Sequence, residues 1–350
     1  MRIAFYAGSC LPIHAQSIDE RPLGGTETAL IRLAEELQRR GHDVSVFTSH
    51  KAPPASRPAY LPVDQVFRSG IFDVFVCVKD WKPAVSRAPG KRFFFWTGDG
   101  YDQYVNFGLG DARVARSIEK FLAVSEWHRQ TLCEASGFPL SQSVVIGNGV
   151  HLDYFKGSEQ RAPKRLIYTA APYRGLALLP PIYQELKRRH PEAELHVFAG
   201  MSVYDTDQPF RGPQVAEFER LKRELVTLPG CTLHGNVRQQ QLARELMRSA
   251  VLVYPNTTFE TCCIVALEAQ AAGCPVVASA NSALPETVGE GGFVIDGEPG
   301  SATYSQKFLE AVDTLVSDTA AWQRFSRAAR RRIEATYTWG NVADRFETLL

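Results

Sequence analysis

Two carboxylates eight residues apart, Glu260 and Glu268, bracket the segment Glu260-Thr-Cys-Cys-Ile-Val-Ala-Leu-Glu268. An apolar run at 251–255 reads as a strand leading into it. The pattern predicts a helix over 262–272, capped by Thr261 and stopped by Gly273. Glu260 then lies just before the helix and Glu268 about two turns inside it. At 1.5 Å rise per residue the two carboxylates are ~12 Å apart. A helix N-terminus between them suits a pyrophosphate, with one carboxylate accepting from a sugar and the other from a ribose. The plainer reading is solvated surface charge. Against it, Glu268 sits among Ile264-Val-Ala-Leu267 and Ala269-Gln-Ala-Ala272, and a carboxylate buried there needs a partner.

Four further groups fall where ligands gather. Gly24-Gly25-Thr26-Glu27 lets backbone approach a ligand and opens a helix with free amides; the plain alternative is a flexible loop with a capping threonine. It is neither a dinucleotide fingerprint nor a P-loop. Trp96-Thr-Gly-Asp-Gly100 ends a strand, which makes Asp99 a candidate acid, base or hydroxyl binder, or else a turn aspartate. Tyr101, Asp102 and Tyr104 follow it. Tyr173-Arg174-Gly175 ends another strand, and the arginine fork suits phosphate. His234-Gly-Asn-Val237 ends a third, where His234 reads as a core or loop histidine. The run Arg324, Arg327 and Arg330-Arg-Arg332 reads as a solvated helix face, with a weak electrostatic contact to a membrane as the alternative.

The elements that must position these residues alternate strand and helix. Strands are predicted at 2–7, 44–47, 72–78, 92–96, 121–124 and 144–146, with a helix over 26–40. A second series has strands at 166–169, 194–198, 231–234, 251–254, 275–279 and 292–295, and helices at 180–190, 216–228 and 239–249. Such alternation implies α/β architecture with doubly wound, Rossmann-like sheets. The polar stretch 156–164 reads as a linker. One domain is expected over 1–155 and a second over 165–335, facing a central cleft that would favour a ligand. Residues 305–350 read as almost all helix, interrupted at Trp339-Gly340.

Composition narrows the class. The 350 residues are 45% hydrophobic and 22% charged with net charge +1, which describes a globular chain with a sizeable core and argues against a nucleic-acid binder. No apolar run is long enough to span a bilayer, and the N-terminus has no signal-peptide pattern. Seven cysteines, scattered and without Cys-x-x-Cys, fit a reducing cytoplasm and speak against a structural zinc site.

Together these motifs resemble the retaining glycosyltransferases of family 4 (group 1), which have the GT-B fold. The resemblance rests on Glu260-x7-Glu268 and the stretch 233–296 around it. It extends to the Gly24-Gly25-Thr26-Glu27 loop, Ala123-Val-Ser-Glu126, and Asn148-Gly-Val150 with Asp153 and Phe155. It implies transfer of a sugar from a nucleoside diphosphate sugar to an acceptor hydroxyl, with retained configuration and no metal or other cofactor. The acceptor would be a glycan, a lipid-linked sugar or a small molecule. By the same resemblance Glu260 would contact the donor sugar, and Glu268 the ribose. Thr261, Cys262 and Cys263 would meet the donor through amides. Arg174 would hold the diphosphate, Val237 would lie near the base, and Gly24 and Gly25 would cradle phosphate from the first domain. The C-terminal helix, 339–350, would pack back on that domain.

Two departures stand out. No lysine follows Arg174, because Gly175-Leu-Ala-Leu-Leu179 stands there, so leaving-group stabilisation falls to Arg174 and amide dipoles. Thr97-Gly98-Asp99 replaces the usual histidine, leaving Asp99 as its stand-in. A nucleotide-sugar epimerase or hydrolase, or a catalytically inactive sugar-nucleotide-binding module, is the alternative function. Loops 10–21 and 201–212 are where donor and acceptor choice would reside.

Overall fold

The computed structural model describes residues 1–201, 203 and 213–350. The chain divides into two units, residues 1–149 with 339–350, and residues 150–338. The stretch 156–164, expected as a linker, lies inside the second unit. The loop 201–212 lies, apart from residues 201 and 203, outside the described residues.

Unit 1 holds a seven-stranded sheet of β1 (Arg2–Ala7), β2 (Asp43–Thr48), β3 (Ala59–Pro62), β4 (Phe72–Val78), β5 (Gly90–Trp96), β6 (Lys120–Ala123) and β7 (Ser143–Val145). All neighbouring pairs are parallel. The order is β3-β2-β1-β4-β5-β6-β7, so the winding reverses between β1 and β4. Strand β3 escapes the sequence pattern because it is four residues long and flanked by prolines, which suits only an edge. The predicted helix over 26–40 runs Gly25–Arg39 and buries Leu30, Leu33, Ala34 and Leu37. A helix at Glu126–Ser136, not anticipated, is capped by the Ser125 hydroxyl and closed by Gly137 in the left-handed region.

Trp339 opens the last helix, Trp339–Glu347, instead of interrupting one. Its breaks lie at Asp318 and at 337–338. This helix buries Trp339, Val342, Ala343 and Phe346, and the Phe346 ring lies 6.2 Å from Phe5 and 6.1 Å from Phe94. Arg40 reaches Asp344 at 2.7 Å and Arg345 donates to the Ile146 carbonyl at 2.7 Å. The core of unit 1 therefore contains residues from both ends of the chain.

Unit 2 repeats the plan with β8 (Arg165–Tyr168), β9 (Glu194–Val197), β10 (Cys231–Leu233), β11 (Val251–Tyr254), β12 (Val276–Ser279) and β13 (Gly292–Ile295). The parallel sheet has the order β10-β9-β8-β11-β12-β13. Its reversal falls between β8 and β11, and ligands of open α/β sheets gather outside the carboxyl ends of such a pair.

The arginines expected on a solvated helix face are partly spent inside this unit. Arg330 donates to the Ala272 carbonyl at 3.2 Å, as does Arg161 at 3.1 Å, and Arg332 donates to the Thr287 carbonyl at 2.7 Å. The two guanidinium groups on Ala272 satisfy the end of the Ile264–Ala271 helix and complement its negative pole. Among the described residues no helix is long and apolar enough to cross a membrane.

Candidate functional site

At the β8/β11 reversal the sequence after β8, Thr169-Ala-Ala-Pro-Tyr-Arg174, folds back onto the end of β11. Gly175 makes this approach feasible. Its φ is +96°, and a Cβ there would sit 1.9 Å from the Pro255 carbonyl oxygen, so any other side chain would push the Arg174 loop off the strand. Arg174 Nη1 is ion-paired with Glu260 Oε1. The Tyr254 hydroxyl donates to the same oxygen, and Asn256 donates to the Tyr254 hydroxyl at 2.6 Å. Asn256 in turn accepts from the Thr258 amide at 2.6 Å, and Asn281 donates to the Thr258 carbonyl at 2.8 Å. Glu260 is buried, and this network supplies the partners a buried carboxylate needs.

The electrostatics follow from that pairing. Burial works against the Arg174 charge, but the neighbouring Glu260 outweighs it and the guanidinium pKa is raised. Burial, then the Glu260 charge, raises the Tyr254 pKa well above its ordinary value. Tyr254 is therefore a fixed donor at neutral pH. The same two causes raise Cys263, leaving an unreactive thiol.

The predicted cap and helix start are corrected. The helix is Ile264–Ala271 with Cys263, not Thr261, at its N-cap. The chain from Glu260 to Cys263 is non-helical because an ordinary helix entry there would carry Glu260 away from Tyr254 and Arg174. Glu268 is thus the fifth helical residue, little more than one turn in, and the ~12 Å spacing drawn from helical rise does not apply. Cys263 is buried, while Thr261 and Cys262 are partly exposed. Glu268 is buried and accepts from the Gln239 side-chain amide. Val237 lies partly buried against the unit 2 core. The structure therefore brings Arg174 and Glu260 into contact and gives Glu268 a separate partner. His234 is one of a stacked trio, 4.2 Å from the Phe198 ring and 5.2 Å from that of His196.

Unit 1 carries the remaining candidates. Gly24 is buried at the N-cap of the Gly25–Arg39 helix, and Gly25 is exposed. A Cβ on Gly98 would lie 3.8 Å from the Thr26 hydroxyl, so the glycine loop and the Asp99 turn are neighbours. Asp99 Oδ2 accepts from Thr97 at 3.2 Å and pairs with Lys79 Nζ at 3.2 Å. Lys79 follows β4 with φ of 58°, a left-handed conformation that costs a lysine ~1–2 kcal/mol. Burial opposes its charge, and Asp99 and then Glu27 outweigh that and raise its pKa. Glu27, buried, also accepts from the Leu11 amide at 3.1 Å.

The Asp99 backbone is held from beneath by His128. Val124 N–H donates to His128 Nδ1 at 3.3 Å, which leaves Nε2–H to donate to the Asp99 carbonyl at 3.0 Å. Burial lowers the His128 pKa to about 4, against the raising effect of the Asp99 carbonyl. A neutral buried histidine of this kind binds no proton in the fold until pH nears 4, whereas the unfolded chain takes one up near 6.5. Its contribution is thus complete above pH 6.5 and is lost as pH falls towards 4, by about 3 kcal/mol in all. Urea midpoints followed from pH 7 to 4 should fall over that window, with a shallower decline in His128→Gln.

Tyr254, Asn256, Gln239, Lys79 and His128 were not singled out from sequence. The available signals are slight: polar residues at the ends of β4 and β11, the place of Tyr254 and Asn256 within the stretch 233–296 that carries the resemblance, and a histidine three residues after a serine that opens a helix. None is a motif in itself.

Residues 164–332 match the family described as Glycosyl transferases group 1. The chain is 38% identical over 250 residues to D-inositol 3-phosphate glycosyltransferase of Streptomyces avermitilis, covering 67% of this chain and 52% of that protein. It is 34% identical over 104 residues to alpha-maltose-1-phosphate synthase of Mycobacterium tuberculosis, covering 29% of this chain and 27% of that one. The chain thus spans about a quarter to a half of the length of these curated relatives. Among solved structures, Anabaena Alr3699/HepE in complex with UDP and glucose superposes with a TM-score of 0.74 at 18% identity, covering 100% of this chain and 99% of that one. A likeness at that identity speaks for the fold.

Proposed function

We propose, on the premise that the chain belongs to the group 1 glycosyl transferases and has the GT-B fold, that it transfers a sugar from a nucleoside diphosphate sugar to an acceptor hydroxyl. The reading includes retained anomeric configuration and no metal. The observation that carries it is the Arg174–Glu260 pair at the winding reversal of the unit 2 sheet. That position offers a cation for a diphosphate and a carboxylate for the sugar beside it. Two buried oxygens, Thr258 Oγ1 beside Asn256 and Gln239 Oε1 on the side chain that holds Glu268, have no protein partner among the described residues, and donor hydroxyls would satisfy them.

In this reading unit 2 takes the donor. Arg174 holds the diphosphate, helped by amides of residues 261–263 and by backbone near Val237. Glu268, steadied by Gln239, accepts from the ribose. Unit 1 takes the acceptor, with Asp99 orienting its hydroxyl. The bond from the anomeric carbon to the diphosphate breaks as the acceptor oxygen bonds the same face. The acceptor proton passes to the leaving diphosphate, and Glu260 stabilises the positive charge that develops on the sugar. Because the HepE structure holds UDP and glucose, UDP-glucose is the first donor to try.

The test is a screen of UDP-, GDP- and ADP-sugars against glycan, lipid-linked and small-molecule acceptors in the presence of EDTA, with product anomers read by NMR. A retained-configuration product at full rate in EDTA is the expected result. Inverted product or loss of turnover in EDTA would remove those two parts of the reading. Turnover without acceptor would favour a hydrolase or epimerase, and donor binding without any product would favour an inactive binding module.

A further inference from the structure

The segment after Asp99 holds two aromatic rings outside the fold. Tyr104 is 79% exposed and Phe107 62%. Their backbone is nevertheless built into unit 1. The buried Asn106 donates to the Asp99 and Gly100 carbonyls at 3.1 and 2.7 Å, and Trp81 Nε1 donates to the Phe107 carbonyl at 3.1 Å. Leu109, fully buried, closes the segment. The rings are therefore presented by a fixed frame, as an aromatic face that stacks on a ligand has to be.

Beside that frame lies the Lys79–Asp99 pair at the carboxyl ends of β4 and β5. The strained left-handed backbone of Lys79 is of the kind that persists at functional sites. Charge decides what fits. Glu27, Asp80, Asp99 and Asp102 oppose Lys79 and Lys82, and the helix Ala112–Ser117 packed against Lys82–Val85 adds Asp111, Arg113 and Arg116, so five carboxylates stand against four cations. Lys79 is already neutralised by Asp99 and Glu27, and Lys82 pairs loosely with Asp80 at 3.9 Å. A phosphorylated acceptor or an anionic lipid surface would meet net repulsion. Aromatic faces beside a few fixed hydrogen-bonding groups suit an uncharged sugar, whose C–H face lies on a ring while its hydroxyls reach polar atoms.

We infer that unit 1 binds an uncharged sugar acceptor with its ring face on Tyr104 and Phe107 and a hydroxyl on Asp99, Lys79 acting as the positioning residue for that carboxylate. The inference rests on reading unit 1 as the acceptor side. It goes further in choosing a neutral acceptor over a phosphorylated one.

The experiment uses the full chain, with maltotriose and cellotriose as neutral probes and glucose 6-phosphate and fructose 6-phosphate as anionic ones. Binding is read by calorimetry and by Trp fluorescence, since Trp81 adjoins Phe107. At least one trisaccharide should saturate, and the sugar phosphates should bind about tenfold more weakly or not at all. The double variant Tyr104→Ala, Phe107→Ala should weaken the trisaccharide about tenfold or more, the scale of one lost stacking contact. Lys79→Ala should weaken it as well, with Lys79→Arg restoring most of the affinity, a rescue that a merely structural role would not require. UDP is titrated separately into every variant. UDP failing to bind while the trisaccharide binds would sink the donor reading and leave this inference standing. No saturation by either trisaccharide, tighter binding of the sugar phosphates, or unchanged affinity in the double variant would overturn it. So would loss of phosphatidylcholine vesicle binding in the double variant without any sugar binding, which would assign the rings to a membrane surface.

Discussion

Replacing Glu260 with glutamine is expected to lower sugar transfer by about 10²- to 10³-fold, the loss seen when one group aimed at transition-state charge is removed. Affinity for a nucleoside diphosphate should meanwhile be kept or tightened. The two outcomes separate because Glu260 pairs with Arg174. While the carboxylate is present, it offsets the positive charge a diphosphate would use. An amide keeps the size and can still accept from Tyr254, so the fold should hold, but it returns the full guanidinium charge to an incoming phosphate. Calorimetry with UDP and a transfer assay on the same preparation read both effects. Transfer at the unmodified rate in a folded Glu260→Gln protein would remove Glu260 from the chemistry, and a weakened UDP affinity would show that the pair assists the phosphate instead of competing with it.

The second large effect is expected at Arg174. Alanine there takes the cation from Glu260 and leaves it the neutral donors Tyr254 and Asn256, and breaking one side of a buried pair commonly costs about 3–5 kcal/mol. Arg174 keeps 30% of its side chain exposed, so solvent screens part of the attraction and about 2–3 kcal/mol is the better expectation. Nucleoside diphosphate affinity should fall by about 10²-fold, because the chain has no lysine in 175–179 to take over the charge. Arg174→Lys should recover stability ahead of activity, since an ammonium supplies charge without the planar fork. Denaturant unfolding and UDP calorimetry measure the two losses. If Arg174→Ala binds UDP as well as the unchanged protein, the diphosphate is held elsewhere.

Much of this was legible in residues alone, for identifiable reasons. The alternation of apolar strands with amphipathic helices such as Gly25–Arg39 leaves little freedom in α/β class, and Glu268 among apolar neighbours has to find a partner. The parts that were not legible depend on non-local contacts. Tyr254 and Asn256 read as an ordinary strand end until the Arg174 loop, anchored by Gly175, arrives from 80 residues upstream. The start of the Ile264–Ala271 helix was misplaced because Thr261 is a good cap by type, while the buried network around Glu260 holds residues 260–263 out of helical geometry. Strand β3 was missed because prolines mask a short edge. His128 gives only a slight signal because its role, steadying the Asp99 carbonyl, is played by a ring buried beneath a turn.

The helix Trp339–Glu347 has a bearing on the protein's biogenesis. Its Phe346 fills the space between Phe5 and Phe94, so the first 149 residues emerge from the ribosome without the piece that closes their core. Unit 2 is contiguous and can reach its native state while its predecessor still waits. The portion made first is the portion finished last, and for the interval between them a young chain carries an open apolar seam. Loss of residues 339–350 would therefore be felt not as a trimmed segment but as a failure of residues 1–149 to mature.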